Sequence, residues 1–193
     1  MMADGSFQNG RCDVELIAAA DAPLLARPYY EHGDPGPIVA ALAQIPELLE
    51  VALPFIAVVL GPSSIPIRTK ELVIVRTSAL AGCRFCVDAH SVVALDSGLS
   101  ANEVRALRRE RTIAATFADP AELALLDWVD VVTLSGPVRP ADRRAALGVY
   151  EDHEVVELTM LAAATLMLNR FCTALNLPTA ASVSERLTEA GIH

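Results

Sequence analysis

Apolar residues recur with the period of an α-helix along almost the whole chain, and this pattern constrains the fold more than any other feature. From Ile38 onward each apolar segment has the spacing of a helix, and no stretch alternates cleanly as a strand would. Alanine and leucine are abundant, while aromatic residues make up only 5% of the chain. That balance favours helices over sheets. The sequence therefore predicts an all-α fold.

Short local signals predict where several of these helices begin and end. Gly82 follows an apolar helical segment and provides a stop signal. Ser100 followed by Glu103 is the signature of a capping box at a helix start. Asp119 directly before Pro120 combines an acidic N-cap with proline in the first turn. We therefore expect a helix to end near Gly82 and two others to begin near Ser100 and Asp119.

Residues 1–37 differ in composition from the rest of the chain. Prolines and glycines are dense between Pro23 and Pro37, which predicts an extended N-terminal arm with at most one short helix. Residues 38–193 are expected to form one all-helical domain. Within it, Glu71 precedes Cys86 by the same spacing that separates Glu157 from Cys172, so a degenerate internal duplication is one interpretation.

Charge and hydropathy exclude several classes of function. The 24 acidic residues outnumber the 15 basic ones, for a net charge of -9, so a nucleic-acid partner is not expected. The longest apolar runs, near Val51–Leu60 and Leu158–Leu168, are shorter than the roughly 20 residues of a membrane span. The N-terminal residues lack the pattern of a secretory signal. We expect a cytoplasmic protein without membrane association.

The hydrophobic fraction also bears on assembly. At 53% of residues it is high for a chain of 193, and exposed apolar surface is commonly covered by other subunits. A homo-oligomer is therefore expected.

Cys83, Cys86 and His90 form the segment that departs most from core-building composition. At about 100° per residue they fall at roughly 0°, 300° and 340° around a helix, which places them on one stripe. A cysteine in a first helical turn is favoured as a thiolate. A Cys-x-x-Cys spacing also lets two sulfurs form a disulfide with little backbone movement.

Two physical arguments disagree about which thiol reacts first. The helix dipole favours Cys83 as the more acidic thiol, whereas His90, one turn beyond Cys86, offers that cysteine a proton acceptor. We assign the attacking role to Cys86, because a nearby base supplies a route for deprotonation. Glu71, on the preceding helix, is expected to orient His90 and to stabilise its protonated form.

The pattern Glu-x11-Cys-x2-Cys-x3-His, formed by Glu71, Cys83, Cys86 and His90, resembles that of the carboxymuconolactone decarboxylase superfamily in its alkyl hydroperoxidase D-like (AhpD-like) branch. The stretch from Ile67 to Arg76 is similar to the entry helix of that family. The segment from Asn169 to Pro178 is similar to the tail of many members. The resemblance covers about residues 38–178. The AhpD prototype has a histidine directly before the second cysteine, where this chain has Phe85.

The resemblance implies an AhpD-like helical bundle, often assembled as a trimer or hexamer, and an antioxidant enzyme that reduces peroxides with thiols. In that branch the second cysteine, here Cys86, attacks the peroxide, and the first, Cys83, resolves the sulfenic acid to a disulfide. His90 and Glu71 would relay protons. The cycle requires no prosthetic cofactor and no metal, but it does require a reductant, which could be a lipoylated protein, a thioredoxin-like protein or a small thiol.

Other interpretations of the same residues stay open. The two cysteines could be small buried core residues. They could ligate zinc together with His90 and either Glu71 or an outside ligand, although no second Cys/His pair accompanies them. A carboxymuconolactone decarboxylase-like enzyme is an alternative, but such enzymes generally lack the Cys-x-x-Cys pair. The chain could also be a non-enzymatic, redox-responsive oligomeric binding protein.

Overall fold

The computed structural model describes residues 12–134, 136, 137, 139 and 148–193, and within these residues it contains helices and no β-strand. This confirms the predicted all-α class. The described α-helices are α1 (Pro37–Leu42), α2 (Pro46–Leu60), α3 (Ile67–Ala81), α4 (Arg84–Asp96), α5 (Ala101–Leu107), α6 (Pro120–Thr133), α7 (Asp152–Ala174) and α8 (Ala181–Glu189).

The local signals in the sequence set the helix ends as expected. Gly82 ends α3 in the left-handed conformation, with a φ of 71° that glycine adopts at low cost. Ser100 and Glu103 form a capping box at the start of α5. The Asp119 side chain accepts a hydrogen bond from the Ala121 N–H at 2.9 Å at the start of α6. These predictions are confirmed.

Helix α3 lies at the centre of the bundle and packs against α4, α5, α6 and α7. Every residue from Lys70 to Val75 is buried, so neighbouring helices cover α3 on all sides. Leu72 and Val75 join a core cluster with residues of α4 and α5, while Val73 and Ile74 join one with residues of α6 and α7. The site residues on α3 are therefore held by packing from several directions.

Helix α7 is long and apolar enough to cross a membrane, if length and composition alone are considered. In the bundle it packs against α2, α3, α4 and α6. Its buried side includes Leu158, Leu161 and Leu168 together with the polar Thr165 and Asn169. These contacts are those of a core helix, and a core helix of this length passes the same test.

The described part of the N-terminal arm, from residue 12, runs along α1 and the end of α7. It contains two short 3-10 helices, Ala19–Asp21 and Arg27–Tyr30, where at most one short helix was expected. The Asp13 N–H donates to the Leu175 carbonyl at 3.1 Å, and the Ile17 N–H donates to the Ala40 carbonyl at 3.1 Å. Backbone hydrogen bonds thus attach the arm to the helices. The boundary between arm and domain at residues 37 and 38 stays a prediction.

The equal spacing of Glu71–Cys86 and Glu157–Cys172 does not correspond to two equal structural units. The first pair spans the end of α3, the turn at Gly82 and the start of α4. The second pair lies on one uninterrupted helix, α7. The spacing is therefore not evidence of a duplicated helical hairpin.

Candidate active site

The turn between α3 and α4 positions the two cysteines of the Cys-x-x-Cys motif. Because Gly82 turns the chain sharply, Cys83 becomes the N-cap of α4, and its Sγ accepts a hydrogen bond from the Cys86 N–H at 3.4 Å. Helix α4 thus begins directly after the first cysteine, with Cys83 as its capping residue. A sulfur in this position receives the partial positive charge of the helix N-terminus.

The two sulfurs lie close together inside the protein. The distance between the Cys83 and Cys86 Sγ atoms is 2.8 Å. Both cysteines are buried, with exposed fractions of 1% and 5%, and both are free thiols. Joining them as a disulfide of about 2.05 Å requires less than 1 Å of approach. The pair can therefore switch between dithiol and disulfide with little change in the backbone.

A third thiol, Cys172 on α7, completes the group. The Sγ atoms of Cys83, Cys86 and Cys172 all lie within 4.8 Å of one another, and Cys172 is also buried. The sequence does not predict that Cys172 belongs to the site, because nothing in a linear pattern places α7 beside the start of α4. The only signal was its spacing from Glu157, which matches that of Cys86 from Glu71.

Hydrogen bonding between the thiols places the negative charge on Cys83. Hydrogen bonds from Cys172 and then from Cys86 lower the pKa of Cys83 to about 3, against the opposing effect of burial. Cys83 is therefore a thiolate at neutral pH. This agrees with the helix-dipole argument rather than with the preference for Cys86.

The charge on Cys83 has the reverse effect on its neighbours. For Cys86, the hydrogen bond with Cys172 acts to lower the pKa, but the Cys83 sulfur and burial outweigh it and raise the pKa to about 12. Contacts with Cys83 and Cys86, together with burial, raise the pKa of Cys172. Cys83 is therefore the most acidic of the three thiols, and the negative charge of the group resides on its sulfur.

Glu71 and His90 form the second pair of the site, as the sequence predicted. The Glu71 Oε2 and Oε1 atoms lie 3.1 Å and 3.3 Å from His90 Nδ1. Glu71 is buried on α3, whereas 26% of the His90 side chain is exposed on α4. A carboxylate at Nδ1 leaves Nε2 free to exchange a proton. His90 follows Cys86 by one turn of the same helix, so both pairs occupy one region of α3 and α4.

Ser78 and Asn169 extend the site between α3 and α7. The buried Asn169 Nδ2 donates to the Ser78 Oγ at 3.0 Å. Asn169 precedes Cys172 by one helical turn, so this hydrogen bond helps to fix the segment of α7 that carries the third thiol. In the sequence, Asn169 is the first residue of the segment that resembles the family's tail, and no local pattern predicts its contact with Ser78.

The three sulfurs are also the group of described residues that could hold a metal ion. The sequence offered Glu71 as a possible zinc ligand, but its carboxylate is hydrogen-bonded to His90. In a tetrahedral zinc site the Zn–S bonds are about 2.3 Å long. Two thiolate sulfurs on one such ion lie further apart than the 2.8 Å between the Cys83 and Cys86 Sγ atoms. A metal would therefore require these two sulfurs to separate.

Comparison with known proteins supports the family resemblance. Residues 46–130 match the family model of the carboxymuconolactone decarboxylase family. This range contains all of α2 to α5 and the four residues Glu71, Cys83, Cys86 and His90. No curated protein matches the chain significantly.

Several solved structures have a similar fold. One is an alkylhydroperoxidase AhpD core, an uncharacterized peroxidase-related protein from Ralstonia eutropha JMP134, with a TM-score of 0.78 and 16% identity over 91% of this chain and 95% of that chain. Another, from Agrobacterium tumefaciens, is a protein of unknown function described as a candidate antioxidant defence protein AhpD; it is 26% identical over 70% of this chain and 92% of that chain, with a TM-score of 0.63.

A third similar structure is the debrominase Bmp8 in complex with 2,3,4-tribromopyrrole. It has a TM-score of 0.75 and 19% identity, and the match covers 96% of this chain and 100% of that chain. At this identity the likeness concerns the fold. Residues 46–130 are thus similar to the carboxymuconolactone decarboxylase family, and the chain has the all-helical AhpD-like fold.

Proposed function

We propose that the protein is a thiol-dependent peroxidase that reduces hydrogen peroxide or organic hydroperoxides through a Cys83/Cys86 dithiol cycle. The observation that carries the proposal is the 2.8 Å approach of the two sulfurs at the start of α4, beside the Glu71–His90 pair. A nucleophilic sulfur, a second thiol within bonding reach and a proton carrier are the three parts that such a cycle needs.

The cycle begins when a thiolate attacks the distal peroxide oxygen. The O–O bond breaks, the sulfur becomes a sulfenic acid, and the alkoxide leaves as an alcohol after receiving a proton, which protonated His90 can supply. The second thiol then attacks the sulfenic sulfur, which forms the disulfide and releases water. An external dithiol, such as a lipoyl group, or a thioredoxin-like protein returns the pair to the reduced state.

Cys86 is the attacking sulfur in this proposal, and Cys83 is the resolving one. Cys86 is the more exposed of the two and lies one turn from His90. A proton can pass between sulfurs 2.8 Å apart, so the pair titrates as a unit. The resting charge on Cys83 argues for the opposite order, but a thiolate there is also ready to attack a sulfenic acid on Cys86.

The test is a count of free thiols and the intact mass of the reduced protein before and after one equivalent of cumene hydroperoxide. We expect rapid loss of two thiols and a mass decrease of about 2 Da, as one disulfide forms. Cys83→Ser should trap a sulfenic acid on Cys86, and Cys12→Ser should behave as the unchanged protein.

Two outcomes would contradict parts of the proposal. A sulfenic acid trapped only in Cys86→Ser would reverse the order of the two cysteines. Thiols that stay reduced in excess peroxide would overturn the peroxidase function. In that case the same variants should be tested with 2,3,4-tribromopyrrole, because the debrominase bound to this compound has the same fold.

A further inference from the structure

Cys172 is a buried thiol that the two-cysteine cycle does not use. It reaches the start of α4 from α7, and its Sγ lies within 4.8 Å of both Cys83 and Cys86. The surrounding cluster is apolar and includes Ala41 and Leu177. All three thiols belong to this buried cluster, so they share one enclosed space.

We propose that Cys172 is a third redox thiol, which exchanges with the Cys83–Cys86 disulfide and forms a disulfide between Cys86 and Cys172. The proposal rests on the dithiol chemistry of the proposed function but not on peroxide as the oxidant. Its consequence is that the oxidised protein exists in two linked forms. One has its disulfide within the first turn of α4, and the other joins α4 to α7.

The choice of Cys86 as the partner follows from the leaving group. When a thiolate attacks a disulfide, the sulfur of the more acidic thiol leaves faster. Cys83 caps α4 and its Sγ accepts the Cys86 N–H, which stabilises a thiolate that leaves from Cys83, so attack by Cys172 on the Cys86 sulfur with departure of Cys83 is favoured.

The exchange balances without any additional oxidant or reductant. The Cys172 sulfur forms a bond to the Cys86 sulfur, and the bond between Cys86 and Cys83 breaks. Cys83 leaves with the electron pair of the broken bond. The proton of Cys172 passes to the departing Cys83 sulfur, which lies within 4.8 Å of the Cys172 sulfur. One disulfide and one free thiol are present before and after the step.

The identity of the remaining thiol is the most direct test. The protein should carry Cys12→Ser, so that only the three site cysteines remain, and metal should be removed with a chelator. After oxidation with one equivalent of diamide, the sample is quenched in acid and denatured, and the free thiol is alkylated and located by mass spectrometry. We expect the label to be divided between Cys172 and Cys83. Label found on Cys172 alone would overturn the proposal.

A second variant tests the disulfide directly. Cys12→Ser with Cys83→Ser retains only Cys86 and Cys172. Diamide should convert these two thiols to one disulfide in the folded protein, which peptide mapping without reductant detects. The matched control carries Cys172→Ser in addition, and it should form no disulfide within the protein. If both thiols of the first variant stay free while the parent forms its disulfide, Cys172 is not a redox thiol.

These results are independent of the peroxidase test because diamide replaces the peroxide. A Cys86–Cys172 disulfide in a protein that does not react with cumene hydroperoxide would support the third thiol and overturn the peroxidase. Rapid peroxide reduction with all remaining label on Cys172 would support the peroxidase and overturn the third redox thiol.

Discussion

The position of one negative charge determines how the three site cysteines differ from one another. Cys83 holds the charge because it caps α4 and accepts hydrogen bonds from the other thiols. Cys86 and Cys172 remain protonated, because hydrogen bonding with the Cys83 sulfur and burial raise the pKa of each thiol. Three identical side chains thus acquire different chemistry from their position alone.

Removal of the Cys172 thiol should raise the pKa of Cys83. In Cys172→Ala the thiolate loses its largest stabilising hydrogen bond, and a hydrogen bond to a charged group contributes about 1.5–3 kcal/mol. We therefore expect the onset of thiolate formation, followed by ultraviolet absorbance, to move to higher pH by about 1–2 units. Cys12→Ser serves as the control. An unchanged onset would show that Cys172 does not stabilise the charge.

Replacement of Glu71 by glutamine should slow the reaction with peroxide. Glutamine can retain a hydrogen bond to His90 Nδ1, but it lacks the negative charge of the carboxylate. Because positioned acid–base groups typically contribute at least 10²-fold, we expect the rate of disulfide formation with cumene hydroperoxide to fall by about that factor. Glu50→Gln, at an exposed position on α2, should have no effect. Equal rates of disulfide formation in Glu71→Gln and Glu50→Gln would show that Glu71 takes no part in the proton relay.

At the scale of helices, α3 links the site to the rest of the bundle through a buried lysine. Lys70 Nζ donates to the Gly61 carbonyl at 2.6 Å and lies 2.9 Å from Glu157 Oε1. One side chain thus connects the end of α2, the first turn of α3 and the first part of α7. The next residue along α3 is Glu71, so this connection also helps to hold the carboxylate that contacts His90.

Lys70→Met should destabilise the protein while it preserves most of the side-chain volume. The variant leaves the Gly61 carbonyl without its donor and Glu157 without its partner, which costs about 1–3 kcal/mol for an unsatisfied buried group. Chemical denaturation should show a decrease of this size in the free energy of unfolding. Glu157→Gln keeps an acceptor for Lys70, so its free energy of unfolding should decrease by less. Equal stability of Lys70→Met and the unchanged protein would contradict this role.

Local sequence signals predicted the helices better than they predicted the full composition of the site. The end of α3 at Gly82 and the start of α5 at Ser100 depend on residues within one turn, so the sequence contains the necessary information. Cys172 enters the site only because α7 packs across α3 and α4. That contact depends on the packing of the whole bundle, and a single sequence pattern does not encode it.

At the scale of the whole molecule, one face of α2 remains apolar and exposed. The side chains of Ile45, Leu48, Val51, Phe55 and Val58 follow one another at intervals of three or four residues, and 67% of Val51 and 77% of Val58 is exposed. Met160 and Met167 are also exposed on α7, which packs against α2. Exposed apolar side chains at this spacing fit the homo-oligomer expected from the composition.

A charge on this face should weaken the assembly. We expect Val51→Glu to shift the protein to a smaller species in size-exclusion chromatography with light scattering, because a carboxylate in an apolar interface must lose its water. Glu50→Gln, the neighbouring exposed position, is the matched control. If Val51→Glu has the same mass as the unchanged protein, α2 does not form the subunit contact.

Lys70 is the only lysine in the sequence, and its side chain is 1% exposed. A reagent that acylates side-chain amines therefore finds no accessible lysine while the bundle is folded. Enzymes that acetylate or ubiquitinate lysine would meet the same barrier. Acylation of Lys70 in time-resolved labelling would consequently report the opening of α2 and α7 around α3, so the protein carries a built-in chemical probe of its own unfolding.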